Sequence, residues 1–347
     1  MNTVAVVILN WNGLAWLQKF LPSVVRYSNL PNAKVVVIDN ASTDNSVDYI
    51  KQTFSNVQIV INNANGGYAK GYNDGLKHIT SDYFVLLNSD VEVTENWLQP
   101  LLLLMDSDRQ IAACQPKILA FDNKDKFEYA GAAGGFIDKF GYAFCRGRIF
   151  NFIENDEKQY NTETEIFWAT GACLLVRSNL FFESGGLDED FFAHQEEIDL
   201  CWRMKNAGYK IYYSPKSVVY HVGGGTLNAL SPFKTYLNFR NNLFLLFKNL
   251  PPKHLYKIIP FRLLLDYLAV IRFVFSRQGK HAKAVIKAHF HFFKTLNVMK
   301  VKRQKVKFAP NADYTSCVYL GSVVFDYFIN SKKKFSKLLS SKFSTNL

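Results

Sequence analysis

Four short apolar runs alternate with stretches of helical periodicity in the first ninety residues, and this alternation leaves few folds open. Val4–Leu9 ends in Asn10. Leu14–Tyr27 follows, with Trp16, Phe20, Leu21, Val24 and Val25 near helical spacing. Val35–Ile38 ends in Asp39, Val57–Ile61 is a third run, and Tyr83–Leu87 ends in Asn88, Ser89 and Asp90. Short, continuously apolar runs read as strands buried on both faces, the pattern of a mostly parallel sheet covered by helices. The expected fold class is therefore α/β. In an open α/β sheet the ligand crevice lies outside the C-terminal ends of the strands. Asn10, Asp39 and Asp90 all fall there, and are expected to line one site.

The rest of the chain adds detail and one contrast. Residues 121–165 read as an irregular, Gly-rich insertion. Ala172–Val176 is a strand, Gln195–Asn206 a helix stopped by Gly208, and Lys210–Tyr213 and Val218–Tyr220 two short strands ending at His221. Beyond Pro251 and Pro252 the composition turns basic and aromatic. The last hundred residues hold 20 of the 41 Lys and Arg but three of the 29 acids, a net of +17 against −5 for the first 247. The expected organisation is a catalytic region over 1–250, a basic amphipathic helical region over 251–310 and a basic tail over 311–347. The Lys332–Lys334 stretch and the Ser/Lys-rich end are expected to be disordered.

A basic region binds nucleic acid or anionic membrane. Its wealth of Phe, Leu, Ile and Tyr favours membrane and argues against nucleic acid. The best candidate for a membrane span, Ile258–Phe275, contains Arg262, Asp266 and Arg272, too many charges to cross. Five cysteines without a CxxC pair support neither a zinc ribbon nor a disulfide framework. The N-terminus lacks a basic segment and a cleavage site, so a signal peptide is not expected. Both features suggest the cytoplasm or the cytoplasmic face of a membrane.

Five constellations carry candidate chemistry. In Asp39–Asp44, Asp39 ends a strand and is expected to bind a base or ribose, whereas Asp44 or Thr43 is expected to cap the next helix. Asn62–Asn73 includes a Gly pair that would let backbone approach a nucleotide, or simply forms a turn. Asn88-Ser89-Asp90 has the form of a D-x-D motif with its first acid replaced. Its Asp could hold Mg²⁺ or Mn²⁺ against a diphosphate, or end a turn. Glu196 and Glu197 open a helix about 100° apart, so they cannot share one role. One could be a general base, or both an ordinary acidic helix start, with Asp199 and Arg203 as an i,i+4 pair. His221, before three glycines, could meet a metal or diphosphate.

Taken in order, VVILNWNG, VVVIDNASTDNS, NANGGYAKGYNDG, LLNSDVEV, ATGACLLVRS, GGLDEDFFAHQEEIDLCWR and YHVGGGT resemble the landmarks of the family 2 inverting glycosyltransferases. The resemblance spans roughly residues 3–250. It is closest to the rhamnosyltransferase-like branch that builds surface polysaccharides such as O-antigen or capsule. It implies a GT-A fold with a Rossmann-like sheet and a nucleoside-diphosphate sugar donor. It also implies a glycan or polyprenyl-linked acceptor and peripheral attachment to the cytoplasmic face of the inner membrane.

By the same resemblance, Asn10, Asp39, Asn65, Gly66 and Asn73 would bind the nucleotide, with Ser89 beside the donor sugar. Asp90 and His221 would serve a Mg²⁺ or Mn²⁺ ion. Trp168, Thr170 and Gly171 would lie on the acceptor side. The family pattern Glu-Asp is Glu196-Glu197 here, which puts Glu197 at the position of the catalytic base. It would take a proton from the acceptor hydroxyl during in-line displacement.

Three rival readings are weaker. A nucleotide-sugar pyrophosphorylase would carry an Arg-containing Gly-rich loop where Asn10–Gly13 stands. A catalytically inactive, membrane-bound nucleotide-sugar-binding protein is supported only by the missing first acid at Asn88. A nicotinamide dehydrogenase lacks its GxGxxG.

Overall fold

The computed structural model describes residues 2–223, 231–309 and 316–345. The N-terminal half runs β1 (Val4–Asn10), α1 (Leu14–Tyr27), β2 (Ala33–Asp39), α2 (Ser46–Thr53), β3 (Gln58–Ile61), α3 (Gly67–Leu76), β4 (Tyr83–Asn88), β5 (Val91–Val93), α4 (Leu98–Ser107) and β6 (Ile111–Ala120). Then come β7 (Gly135–Asp138), β8 (Ala143–Cys145), β9 (Arg148–Ile149), β10 (Phe152–Ile153), β11 (Thr164–Ile166), β12 (Cys173–Arg177), α5 (Ser178–Glu183), α6 (Glu196–Asn206) and β13 (Lys210–His221). The C-terminal part is α7 (Pro232–Asn249), α8 (Pro252–Phe275), α9 (Gly279–Lys294), α10 (Leu296–Gln304), β14 (Val318–Tyr319) and α11 (Val323–Phe328).

Nine strands form one sheet in the order β11-β13-β6-β12-β4-β1-β2-β3, with β5 beside β13. The expected parallel sheet is present over β4-β1-β2-β3. Beyond it the sheet is mixed, because β12 runs antiparallel to both β4 and β6, while β13 is parallel to β6. The two short strands read near 210 and 219 are one strand, β13, interrupted by a register shift between Ser214 and Val218.

Strand alternation explains the unbroken apolar runs. Val4, Val6 and Ile8 enter one core with Leu17, Leu21 and Leu101, while Ala5 and Val7 enter the other with Tyr72, Leu76 and Phe181. Successive side chains point to opposite faces, so a strand covered on both sides must be apolar at every position. After β1 the chain adds β2 and β3 on one side, then crosses to place β4 on the other. The order reverses there, opening a crevice at the strand ends. Register sets Asn10 opposite Asp39 and Leu9 opposite Asn88.

Two expectations fail. The 121–165 insertion contains ordered strands: β10-β9-β8-β7 form a second sheet, completed by β14. The Ser/Lys-rich tail is not disordered over its described residues. β14 pairs parallel with β7, and the ring of Phe335 lies 5.0 Å from that of Phe136. Asp138, fully buried, accepts from the Phe140, Tyr142 and Val323 amides. Apolar side chains spaced among the lysines dock the tail, and overall charge concealed them.

Candidate active site

The ends of β1 and β2 are stitched together. Asn10 Nδ2 donates to Asp39 Oδ1 and Ser42 Oγ, both at 3.1 Å, and Asp39 Oδ2 accepts from the Ser42 amide at 2.9 Å. Asp39 is thus partly committed to shaping its own loop. Asn10 Oδ1 is buried without a hydrogen-bond partner. Buried acceptors are normally satisfied, so an orphan at a crevice marks a place where a ligand donor fits. Ser89 Oγ lies beside this pair, near Gly13. Asp44 is structural, as expected: it accepts from the Leu14 and Ser46 amides at two helix starts.

A run of amides extends this edge. Asn62 donates to Asn40 Oδ1 at 3.0 Å, and Asn40 donates to Asn65 Oδ1 at 2.8 Å. Asn65 Oδ1 also accepts the Gly67 amide, fixing the turn into α3. Gly66 stands at the same turn, preceding the helix. Asn73 is elsewhere. Its amide donates to Leu187 O and accepts from Leu187 N–H, at 2.8 and 2.9 Å. The expectation of a nucleotide contact is corrected: α3 turns Asn73 toward the loop before α6, where it acts as a strap.

The D-x-D-like end faces His221. β5 pairs antiparallel with β13 and sets Val91 opposite His221, which brings Asp90 Oδ1 to 3.2 Å from His221 Nε2. On the other side of the ring, Nδ1 lies 3.4 Å from Glu128 Oε2. Glu128, between β6 and β7, was not singled out in the sequence. Burial opposes a charge on the imidazole, but Asp90 and Glu128 push its pKa up to about 10. Gly223, at φ +70°, passes so close that a Cβ there would meet Glu128 Oε1 at 2.8 Å. The glycines at 224 and 225, and Thr226, lie outside the described residues.

A divalent cation fits this donor set. No group of three or more His, Cys, Asp or Glu among the described residues forms a complete cage. Asp90 and His221 Nε2 offer two ligands, and Mg²⁺ and Mn²⁺ sites often draw the remainder from substrate phosphates. Glu128 on Nδ1 would then orient the ring, as outer carboxylates do for metal-bound histidines. Binding there would release the imidazolium proton.

The acid pair sits at the start of α6. Asn88 N–H donates to Ala172 O at 3.0 Å, so Gly171 lies beside the D-x-D-like turn. Glu197 reaches this point. Burial pushes its carboxyl up to about 7, against the pull of backbone amides that include Gly171. Glu196 is raised well above its usual range by burial and then by Glu197. Glu196 Oε2, Glu197 Oε2, Gln195 Oε1 and His194 Nε2 are all buried without hydrogen-bond partners. Four orphans on four successive residues give the strongest sign of a ligand pocket in the described structure.

The loop entering α6 is strained, and α7 holds it. Phe192, His194 and Gln195 all have positive φ, at 65°, 69° and 74°. Such values cost energy for residues other than glycine and persist where surroundings enforce them. Asn241 Nδ2 faces the carbonyls of Phe191, Ala193 and His194, and Arg240 Nη2 donates to those of Asp190 and Phe191. Neither was read as functional, because the loop they serve lies some fifty positions away.

The acceptor-side expectation divides. Gly171 is at the site, and its carbonyl accepts from Tyr68 Oη at 2.8 Å. Burial, Tyr72 and the two glutamates hold the Tyr68 phenol well above its usual range. Trp168 and Thr170 are buried instead. Trp168 stacks so tightly on Gly135 that a Cβ there would lie 2.1 Å from the indole, and its Nε1–H donates to Phe136 O. Thr170 is held by Gln115 and the Ala172 amide. Both support the site from beneath.

Comparison with known proteins identifies the family and the fold. The model of glycosyl transferase family 2 matches residues 5–181. An N-acetylglucosaminyl-diphospho-decaprenol L-rhamnosyltransferase of Mycobacterium tuberculosis is 26% identical over an alignment of 238 residues that covers 63% of this chain and 76% of that one. Among solved structures, GalNAc-T7 with UDP, GalNAc and Mn²⁺ superposes with a TM-score of 0.54 at 19% identity, covering 71% of this chain and 48% of its own. A mannosyltransferase from Pyrobaculum calidifontis, with GDP-Man and Mn²⁺, gives 0.51 at 14% identity, covering 84% and 87%. These likenesses establish a GT-A fold. Since the family model covers just over half of the sequence, the chain belongs to glycosyl transferase family 2.

Proposed function

We propose that this glycosyltransferase moves a sugar, of the rhamnosyl or hexosyl type, from a nucleoside-diphosphate donor to a hydroxyl of a polyprenyl-linked glycan. The anomeric centre inverts, and the product enters cell-surface polysaccharide. The enzyme works peripherally at the cytoplasmic face of the membrane. The observation that carries the reading is the pair Glu196 and Glu197, whose buried Oε2 atoms have no partner among the described residues and lie beside Gly171 and the Asn88–Asp90 turn.

The residues divide the chemistry. Asn10 and the Asn40–Asn62–Asn65 edge bind the nucleoside half of the donor. Asp90 and His221 would hold a Mg²⁺ or Mn²⁺ ion, whose Lewis acidity, when bound, would supply stabilisation for the diphosphate leaving group. Glu197, with its carboxyl near 7, accepts the proton of the attacking hydroxyl. Burial, and then the neighbouring Glu197, favour the neutral form of Glu196. The mycobacterial relative named for a decaprenol-linked substrate supports the lipid-linked acceptor.

The test supplies purified protein with a panel of nucleoside-diphosphate sugars, L-rhamnose included, an N-acetylglucosaminyl-diphospho-polyprenol and Mn²⁺. Transfer with an inverted anomeric configuration, read by NMR, is expected. Retention, or no transfer from any donor, would refute the proposal.

A further inference from the structure

Helix α8 is built inside out. Its buried positions are Leu255, Ile258, Arg262 and Asp266, so two charges in its middle face the protein while Lys253, Lys257 and Arg272 stay exposed. Arg262 Nε donates to Asp266 Oδ1 at 2.8 Å, and Asp266 Oδ2 lies 3.1 Å from His289 Nε2 on α9. The Arg262 guanidinium also lies 3.8 Å from the Tyr142 ring and bonds to Asn242. In sequence these charges only argue against a membrane span. In the structure they fasten α8 to the body, leaving the outward stripe apolar.

That stripe is Phe261, Leu264, Tyr267, Leu268, Ile271, Val274 and Phe275, all exposed, Phe275 at 84%. Their spacing of three and four residues sets them on one helical face. An ordinary surface helix has the opposite polarity. Exposed Lys257, Arg272, Arg277, Lys280 and Lys283 border the stripe. From 248 to 312 the sequence contains a single acid, the buried Asp266. At about 36 Å the helix is long, but no described helix is apolar enough to cross a membrane.

We infer that the outward face of α8 docks flat on an anionic lipid leaflet, its apolar stripe in the acyl boundary and its bordering cations at the headgroups. The charge selects the occupant: a stripe framed almost wholly by cations complements anionic lipid better than a second copy bearing the same cations. Its biological purpose rests on the lipid-linked acceptor proposed above; its evidence is the face itself.

The test is co-sedimentation of the full chain with phosphatidylcholine vesicles, with and without phosphatidylglycerol. Wild type should pellet with the anionic vesicles at low salt and be released only partly by high salt, since apolar burial is unscreened. Leu264→Glu/Leu268→Glu/Ile271→Glu should weaken binding by at least about tenfold. Exposed positions tolerate this change, so transfer to a water-soluble acceptor should survive. Lys257→Ala/Lys280→Ala/Lys283→Ala should lose the preference for anionic vesicles while keeping some binding. All five native cysteines are buried, so Phe275→Cys can be labelled selectively with a polarity-sensitive dye, whose emission should shift blue on vesicles. Wild type remaining in the supernatant, or the triple-Glu variant pelleting equally, overturns the inference. So does a wild-type dimer that ignores vesicles and that the triple-Glu substitution dissociates, which would make a second copy the occupant. Vesicle binding without transfer to any lipid-linked acceptor would refute the proposed function and leave this inference standing.

Discussion

Asp188 and Asp199 flank Glu196 and Glu197 in sequence, yet the fold treats the two pairs in opposite ways. Lys248 bridges both aspartates at 2.6 and 2.8 Å, Lys302 adds a contact to Asp188, and Arg203 and Asn249 serve Asp199. Burial opposes ionisation of Asp188, but Lys248 and Lys302 hold it well below the usual carboxylate range. Among the described residues no cation pairs with the glutamates, and burial raises both. Asp188 and Asp199 build the scaffold and are paired with cations. Glu196 and Glu197 each keep an unsatisfied oxygen, and so retain affinity for a proton.

The paired side breaks most expensively. Lys248→Met would leave Asp188 with the partly exposed Lys302 and the Asp190 amide, and the buried Asp199 with Arg203 and Asn249. Removing one partner of a buried ionic network costs about 3–5 kcal/mol. A large fall in Tm at neutral pH is expected, measured by calorimetry. Asp188, with its lowered pKa, contributes stability that is present above the unfolded value and lost as pH falls. The deficit of the variant should therefore shrink in acid. An unchanged Tm would show that the network is not structural.

The unpaired side should break in activity, not in folding. Glu197→Gln keeps the shape and removes the proton acceptor, so turnover should fall by at least about 10²-fold while donor binding, read by calorimetry, persists. Glu196→Gln should be much milder, because burial already favours the neutral form of that residue. If Glu196→Gln is the inactive variant, the two roles are exchanged.

How much of this was legible depended on sequence distance. Asn10, Asp39 and Asp90 were visible because each ends an apolar run, and strand ends in a parallel sheet point to one crevice. Glu128, Tyr68, Lys248 and Asn241 were not, because each acts on a partner far along the chain and has no local pattern. Trp168 and Asn73 stood in the right motifs but turn away from the crevice. Helix α8 carried an unread signal: Leu255, Ile258, Arg262 and Asp266 repeat at three- and four-residue intervals, which puts the charges on the face opposite the apolar stripe.

Glu128 tests the boundary between the two classes, since it is a buried acid with a cationic partner at the site itself. Glu128→Gln keeps the size but weakens its hold on His221 Nδ1–H. An outer carboxylate of this kind is worth about 10- to 100-fold in metal affinity. Mn²⁺ titration, followed by calorimetry in the presence of nucleoside diphosphate, should show that loss. Unchanged affinity would make Glu128 a structural acid like Asp188.

The gentlest test is pH. A base with its carboxyl near 7 is mostly protonated at pH 6, so kcat/KM should fall by about tenfold per unit below that value, and Glu197→Gln should flatten this limb. The stability sign runs the other way from Asp188. A carboxyl raised above its unfolded value near 4.5 favours the folded state in acid, and that contribution is lost as pH rises through about 7. Wild type therefore bears the strain of an unpaired buried carboxylate at pH 8, and Glu197→Gln does not. The inactive variant should melt a few degrees higher than wild type at pH 8, with the difference closing toward pH 5. A constant difference across that range would mean that Glu197 is ionised throughout, and that the fold supplies a partner for it after all.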